Sequence, residues 1–470
     1  MYTLISNNKR ISIAEKGNRK GNYFRSSFKS TFCKQLSKSI SRDFVKIGQA
    51  VFAADRAFPR STNLGGRTRM IKVIIPVENP EAWASCSKEL EGVIRFVSRD
   101  WWEFEFKKSK PPPSSGTPVI PFPPDRNCVA LFSDGLDSFS GAVRLFRQKN
   151  KPVFVLHSQS RWSFKKATGR IDAIKKQLAV NSEHDLAGFS YFISDKDAEG
   201  KRNGFAENSR RTRPFFYLCL ASAIAFEKDI PLICLNENST LAINLPFNKS
   251  MMGVRSISRH AHPKTLFLFE NLLKKIWPGD KTSPKIINLF AEQTKAGEVA
   301  VAKKAGISDL LISETVSCEN SARPLATFIS LKKKEGEKVS GIKECGVCSP
   351  CIIKKYSLYF NRIKVPPRHF AFKQELLMGA NKRRLKEMLG KYSLWRLNYE
   401  MQEIIYEFCR KIVQMKPREF VMEYIYELSL LNNSYKNTDD VGKHVHSLYK
   451  KFSKEYISYW NRSQQKARRK

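Results

Sequence analysis

No stretch of the chain approaches the roughly eighteen uncharged apolar residues that a membrane-spanning helix needs, and Met1 to Arg10 lack the apolar block of a secretory signal. A cytoplasmic protein with no membrane partner is the expectation. Acidic residues are scarce: 44 Asp and Glu stand against 83 Lys and Arg, a formal net charge of +39 over 470 residues. So large an imbalance attracts polyanions over a Debye length or more. Nucleic acid is one such partner and an acidic protein another. The basic residues run from Lys9 to Lys470 without gathering into one cluster interleaved with aromatics. Internal repeats are absent, which excludes solenoid and propeller architectures, and no recognisable RNA-binding module occurs. What is present is 41% hydrophobic residues, enough to build the cores of two or three domains.

Ten cysteines in such a chain read as thiols or metal ligands rather than disulfides. Six are scattered, at Cys33, Cys86, Cys128, Cys219, Cys234 and Cys409, and of these Cys219 and Cys234 sit in apolar stretches as small buried residues. The other four are grouped. Cys345-Gly346-Val347-Cys348-Ser349-Pro350-Cys351 places three thiols in seven residues, and Cys318 lies upstream. Four thiolates suit tetrahedral Zn²⁺, though thiolates also hold iron–sulfur clusters. A closed four-cysteine set stabilises a fold and leaves no position open for catalysis.

Composition divides the chain into four parts. Residues 1–107 read as an N-terminal α+β accessory domain. It has a polar, weakly ordered start of about thirty residues, a helix from Phe44 to Phe58, a strand from Ile71 to Ile75 stopped by Pro76, and a helix from Ala82 to Asp100. Residues 108–125, rich in proline, read as a semi-rigid linker. From 126 to 366 strands and helices alternate, which predicts a doubly wound parallel sheet with helices on both faces. Residues 367–470 read as an all-α domain, in which Trp395, Tyr399, Tyr406, Phe408 and Phe420 are core rather than a base-stacking surface.

The stretch Leu131-Phe132-Ser133-Asp134-Gly135-Leu136-Asp137-Ser138 follows the first strand of the alternating unit. It breaks from an apolar strand into a turn and then a helix, aiming backbone N–H groups and two hydroxyls where phosphate binds favourably. The plain alternative is an ordinary helix cap with glycine supplying a special backbone angle. The octet resembles the pyrophosphate loop of the PP-loop ATPases (HUP-like fold), SGG-hydrophobic-DS, with Asp134 in place of the first glycine. An anion there repels phosphate unless it points away or faces Mg²⁺.

Loop and cysteines together resemble the QueC family, the 7-cyano-7-deazaguanine synthases. Ser158-Gln159-Ser160-Arg161 and Thr294-Lys295-Ala296-Gly297-Glu298 match further family segments. Ser209-Arg210-Arg211-Thr212-Arg213, Glu237-Asn238, Asn244-Leu245-Pro246 and Ser258-Arg259-His260-Ala261-His262-Pro263 resemble the QatC-type branch found in bacterial anti-phage gene clusters. The 26 residues between Cys318 and Cys345 exceed the family spacing and suggest a mobile basic loop around Leu331–Lys338.

The resemblance implies an ATP-dependent ligase that splits ATP into AMP and pyrophosphate and adenylates the carboxylate of a 7-carboxy-7-deazaguanine. It implies that Ser133, Gly135 and Ser138, with Asp134 and Leu136 in the same loop, bind pyrophosphate. Asp137 orients the loop or Mg²⁺, and Val155 and His157 receive adenine. Arg161, with Ser133, Asp137 and Ser138, is assigned to catalysis. Arg211, Arg213 and Arg259 are candidate phosphate or carboxylate clamps, or else solvated; Glu237 and Asn238 would meet the purine-like edge. His262 is a general base or a turn residue. Cys318, Cys345, Cys348 and Cys351 would hold Zn²⁺. The product would be the free nitrile or a conjugate with an amine of a protein from the same gene cluster, in antiviral defence. Rival readings are a tRNA-modifying PP-loop enzyme and a catalytically degenerate scaffold that binds a nucleotide or nucleic acid.

Overall fold

The computed structural model describes residues 2–6, 9–15, 23–30, 36–60, 68–111, 125–157, 161–181, 183–194, 207, 211–247, 259–277, 279, 282–318, 323–334, 336, 339–372, 401–431 and 438–468. The expected linker at 108–125, the segments 158–160, 208–210 and 248–258, and the expected helix at Lys382–Leu389, with Trp395 and Tyr399, lie wholly or largely outside them.

The first strands are β1 (Tyr2–Ser6), β2 (Lys9–Glu15) and β3 (Tyr23–Ser30). The expected weakly ordered start is therefore corrected. Its backbone groups find partners in neighbouring strands, which a periodicity count cannot see. Next come α1 (Ser39–Ala57), β4 (Met70–Val77), α2 (Pro80–Ser85), α3 (Ser87–Ser98) and β5 (Trp101–Lys108). Contrary to expectation, β4 runs through Pro76. Its pairing with β1 ends at Ile74, so at Pro76 only the β5 side carries a partner, and the missing N–H is tolerated.

The alternating unit follows: β6 (Cys128–Phe132), α4 (Leu136–Arg147), β7 (Pro152–His157), α5 (Arg161–Leu178), β8 (Asp185–Ser194), α6 (Arg213–Lys228) and β9 (Leu232–Leu235). It continues with α7 (Ser239–Ile243), α8 (Pro263–Ile276), β10 (Lys285–Asn288), α9 (Lys295–Lys304), α10 (Asp309–Ser313), α11 (Arg323–Lys334) and α12 (Ser349–Phe360). The terminal helices are α13 (Met401–Gln414), α14 (Pro417–Glu423), α15 (Ile425–Ser429) and α16 (Thr438–Arg468).

All ten strands join one mixed sheet in the order β10-β9-β6-β7-β8-β3-β2-β1-β4-β5. The five from β10 to β8 are mutually parallel. Antiparallel pairing of β3 with β8 over six residue pairs then carries the sheet into the N-terminal unit. Within the parallel half the chain runs outward from β6 to β7 and β8, then returns to place β9 on the other side of β6. The winding thus reverses between β6 and β9, and a crevice opens there beyond the strands' C-terminal ends.

Alternating side chains divide the core between two faces. Val129, Val153, Val155 and Ile233 pack with α1, α6 and α8 on one face. Cys128, Ala130, Phe132, Phe154 and Cys234 pack with α4 and its neighbours on the other. The terminal helices close over α7, α9 and α12, with Phe408 and Phe420 buried as expected and Tyr406 stacked on Trp460. No helix among the described residues is long and apolar enough to cross a membrane.

Candidate active site

At the point where the winding reverses, β6 ends and the chain turns through Ser133, Asp134 and Gly135 into α4. The Ser133 N–H donates to Ser138 Oγ (3.0 Å), the Gly135 N–H donates to Ser133 Oγ (3.1 Å), and the two hydroxyls lie 3.0 Å apart. This network folds the loop back on the first turn of the helix. Gly135 takes an ordinary extended conformation (φ −78°), so the special backbone angle expected of it is absent. Its contribution is space, since a Cβ there would stand 3.2 Å from Ser133 Oγ.

Asp134 turns away from the loop. Its carboxylate accepts from Arg170 Nε (2.9 Å) and pairs with Lys166, both on α5. Arg170 is buried and also reaches the carbonyls of Leu311 (3.4 Å) and Glu314 (3.2 Å). The carbonyl of Asp134 accepts from the Val316 N–H (2.8 Å), and Ser317 Oγ accepts from the Leu136 N–H (3.3 Å). Two cations therefore neutralise the anion, and the loop is bonded on both sides of Gly135 to the segment that enters Cys318.

Asp137, on the first turn of α4, pairs with Lys295, whose Nζ lies 3.3 Å from Glu298 one turn along α9. Glu237 follows β9. Its carboxylate meets His260 Nε2 (2.7 Å) and accepts from Asn238 Nδ2 (3.0 Å), while its N–H donates to Asn288 Oδ1 (2.9 Å). Burial alone would raise Asp137, but the adjacent Lys295 ammonium outweighs it and holds the carboxyl below the usual range. Burial, reinforced by Asp137, pushes Glu237 and Glu298 upward. Burial opposes the charge on Lys295, yet the surrounding carboxylates raise it. The result is one fixed ion pair flanked by two carboxyl groups disposed to hold a proton, a set that can exchange protons with a bound reactant.

Ser133, Asp137, Ser138, Val155, Glu237 and His260 line a cavity of about 240 Å³, with Tyr217 and Asn236 completing its wall. Asn236 donates to the Leu131 carbonyl (2.8 Å), and its buried Oδ1 has no hydrogen-bond partner among the described residues. The close approach of Asn236 to α4 requires Gly141, where a Cβ would fall 2.0 Å from that oxygen.

Of the sequence-predicted residues, the fold thus gathers Ser133, Gly135, Asp137, Ser138, Val155 and Glu237. Leu136 is buried in the core. Asn238 caps α7, accepting from the Leu241 N–H (3.2 Å). His262 caps α8, accepting from the Lys264 N–H (3.1 Å), and burial pushes its imidazole down to about 3. Arg211 donates to the Ser98 carbonyl (3.1 Å), and Arg259 lies over Phe96 at 4.4 Å, both away from the cavity. Arg213 is exposed, 5.8 Å from the ring of Tyr217. The side chains of His157 and Arg161 lie outside the described residues. Sequence reasoning passed over Lys166, Arg170, Tyr217, Asn236 and His260. Of these only Asn236 and His260 carried a signal, as neighbours of Glu237 and His262.

The four cysteines Cys318, Cys345, Cys348 and Cys351 meet in one buried cluster, with every Sγ within 4.8 Å of the others. The pairs Cys345–Cys351 and Cys318–Cys348 are 3.8 and 4.0 Å apart. Four sulfurs about 2.3 Å from a tetrahedral metal stand ~3.8 Å from one another, so the quartet fits a metal such as zinc. Gly346 permits the knuckle: its φ is +83°, and a Cβ would meet the Phe372 carbonyl at 2.4 Å. The expected loop around Leu331–Lys338 is corrected in part. Residues up to Lys334 belong to α11, because Leu325, Phe328 and Ile329 recur at helical spacing and pack on the cysteines. Behind the cluster, Lys354 is fully buried against Glu344 (2.5 Å), whose other oxygen accepts from the Ser317 N–H (2.7 Å).

Fold and site together define a mixed α/β protein with a crevice at the sheet's reversal point, into whose apolar walls Ser133, Asp137, Ser138 and Glu237 are set, and a four-cysteine metal-type site. No protein-family model matches the chain, and no curated protein matches it.

Proposed function

We propose that the chain is a PP-loop ATPase that splits ATP between its α- and β-phosphates to adenylate the carboxylate of 7-carboxy-7-deazaguanine. The observation that carries this reading is the convergence of the Ser133–Ser138 loop, Asp137–Lys295 and Glu237–His260 on one cavity at the sheet's reversal point. The resemblance of the loop and cysteine quartet to the QueC family supplies the substrate class.

In this scheme the hydroxyls of Ser133 and Ser138 and the N–H groups opening α4 hold the leaving pyrophosphate. Asp137 would offer Mg²⁺ a hard oxygen donor alongside phosphate oxygens, and the ion when bound would supply neutralising charge for the leaving pyrophosphate. The backbone near Val155 receives adenine. A carboxylate is a poor electrophile until its oxygen carries AMP, after which an amine attacks the carbonyl carbon, AMP departs and an amide forms. Glu237, held by His260, takes the proton that the amine loses. The quartet would hold zinc in a structural role. The amine is ammonia, on the way to 7-cyano-7-deazaguanine, or belongs to a partner protein of the same antiviral gene cluster.

The test is pyrophosphate release from ATP, Mg²⁺ and 7-carboxy-7-deazaguanine, with intact-mass measurement of the co-expressed partner. Release dependent on the deazaguanine is expected. Release that requires tRNA instead favours the tRNA-modifying alternative. ATP binding that yields neither AMP nor pyrophosphate favours the scaffold. Asp134 adds a sharper prediction. Arg170→Gln removes the buried partner of that carboxylate, leaving it to Lys166 alone, and should raise the KM for ATP roughly tenfold, the effect of losing one charged hydrogen-bond partner. Adding Asp134→Gly should recover most of the loss.

A further inference from the structure

Beyond the turn at residues 259–262 lies a second cavity of about 730 Å³ that the proposed reaction leaves unused. The turn is a shared wall: His260 lines the smaller cavity, Arg259 and His262 the larger. The remaining walls come from α3, the start of β5, the N-terminal end of α8 and α15 of the terminal helices.

Arg95, Arg99, Arg259 and Lys264 face this space, and none of the four forms an ion pair among the described residues. Arg99 stands at the left-handed end of α3 (φ 64°), where burial and the neighbouring Arg259 both weigh against its charge. Of the two carboxylates in the walls, Asp100 is already bound by Arg69 (2.6 Å) and Arg60. Glu427 alone remains to offset four cations. The cations are held over neighbouring rings: Arg95 lies 3.2 Å over Trp101, Arg259 4.4 Å and Lys264 5.4 Å from Phe96. Guanidinium forks chelate phosphate oxygens in pairs, and the start of a 14-residue helix, α8, adds its own favourable dipole.

We propose that this cavity binds an anion carrying two or more phosphates, recognised through its charge. The site stands independently of the ATP-cleaving reading. Its phosphates come either from a free polyphosphate or nucleotide, or from a nucleic-acid backbone.

Isothermal titration of the full chain at near-physiological salt tests it, using inorganic tripolyphosphate, a 5′-phosphorylated single-stranded oligonucleotide and a glutamate-rich peptide. Tripolyphosphate is expected to fill two sites. The double variant Arg99→Gln/Arg259→Gln removes one, weakening it tenfold or more, and Ser133→Ala weakens the other. Lys264→Gln, a milder change at the same cavity, should weaken the first site about threefold, the scale of one exposed charge. The exposed pair Arg410→Gln/Arg418→Gln should change neither. Oligonucleotide binding that falls in parallel identifies a nucleic-acid backbone as the source, and tripolyphosphate binding that falls alone identifies a free phosphate chain. The proposal is overturned if the cavity variants bind tripolyphosphate like the parent, if Arg410→Gln/Arg418→Gln weakens binding as much, or if the peptide binds as tightly. A failure of the loop reading looks different: a single site, still removed by Arg99→Gln/Arg259→Gln.

Discussion

Cys345→Ser is expected to cost the chain both its bound metal and its thermal stability. Elemental analysis of the parent should give one zinc per chain, and the variant well below that. Cys345 sits at the centre of the quartet: its sulfur accepts from the N–H groups of Val347 and Cys348 (both 3.4 Å) and lies 3.8 Å from Cys351. A serine hydroxyl is a poor ligand for a thiolate site, and the other three sulfurs are left crowded in an apolar pocket with Phe328 and Phe372. Loss of a structural metal is among the few single changes that cost about 5 kcal/mol or more, a fall in Tm on the order of 10 °C for a chain of this size. Function should fail as well. Ser317, the neighbour of Cys318, accepts from the Leu136 N–H, so loosening Cys318 loosens the start of α4. Cys234→Ala, outside the quartet, should keep the metal. A Cys345→Ser variant with full metal content and an unchanged melting curve would show that the quartet does not act as a metal site.

Lys295→Met should be nearly as severe, for an electrostatic reason. Lys295 is only 3% exposed and is the ammonium set among Asp137, Glu298 and, further off, Glu237. Removing one member of a buried ion pair strands its partner at a cost of about 3–5 kcal/mol. Pyrophosphate release should fall by roughly two orders of magnitude or more, as when a preorganised charge is lost beside a reacting group. Stability and activity can be separated. Glu298→Gln, added to Lys295→Met, removes a buried carboxyl group whose charge would repel that of Asp137 and should restore part of the melting temperature. It should leave pyrophosphate release at the low level, because Asp137 still lacks its partner. Recovery of both together would mean that Lys295 serves only the fold.

The readable parts of this architecture were those set by local chemistry. An apolar strand breaking into Ser133-Asp134-Gly135 places itself at a strand end, and three cysteines in seven residues announce a shared ligand. The Lys295–Glu298 spacing puts both side chains on one face of a helix. What escaped the sequence was set by tertiary approach. The partners of Asp134 are 32 and 36 residues away, on a helix with many other cations. His260 and His262 differ only in which side of one turn they face, so a motif containing both could not say which meets Glu237. The arginines at 211 and 259 resembled clamps for the same cavity, yet the turn directs Arg259 into a different one. Lys354 left a fainter sign, a charged residue in the otherwise apolar run Cys351-Ile352-Ile353, and burial against Glu344 explains it. The strands at residues 2–30 mix a few apolar residues such as Leu4, Ile11, Ile13 and Phe28 with many polar and basic ones, and pairing with neighbouring strands determines them more than pattern does.

The continuity of the sheet between β3 and β8 bears on how such a protein is taken apart or recombined. Six residue pairs of β8 lie under β3, so a chain beginning near residue 126 would present a freshly cut strand with its row of N–H and C=O groups bare. Bare strand edges recruit one another and aggregate. The first hundred residues therefore act as a selvedge that keeps the parallel strands from ravelling into their neighbours. A graft of this sheet onto another protein would have to bring that border along or weave a new one.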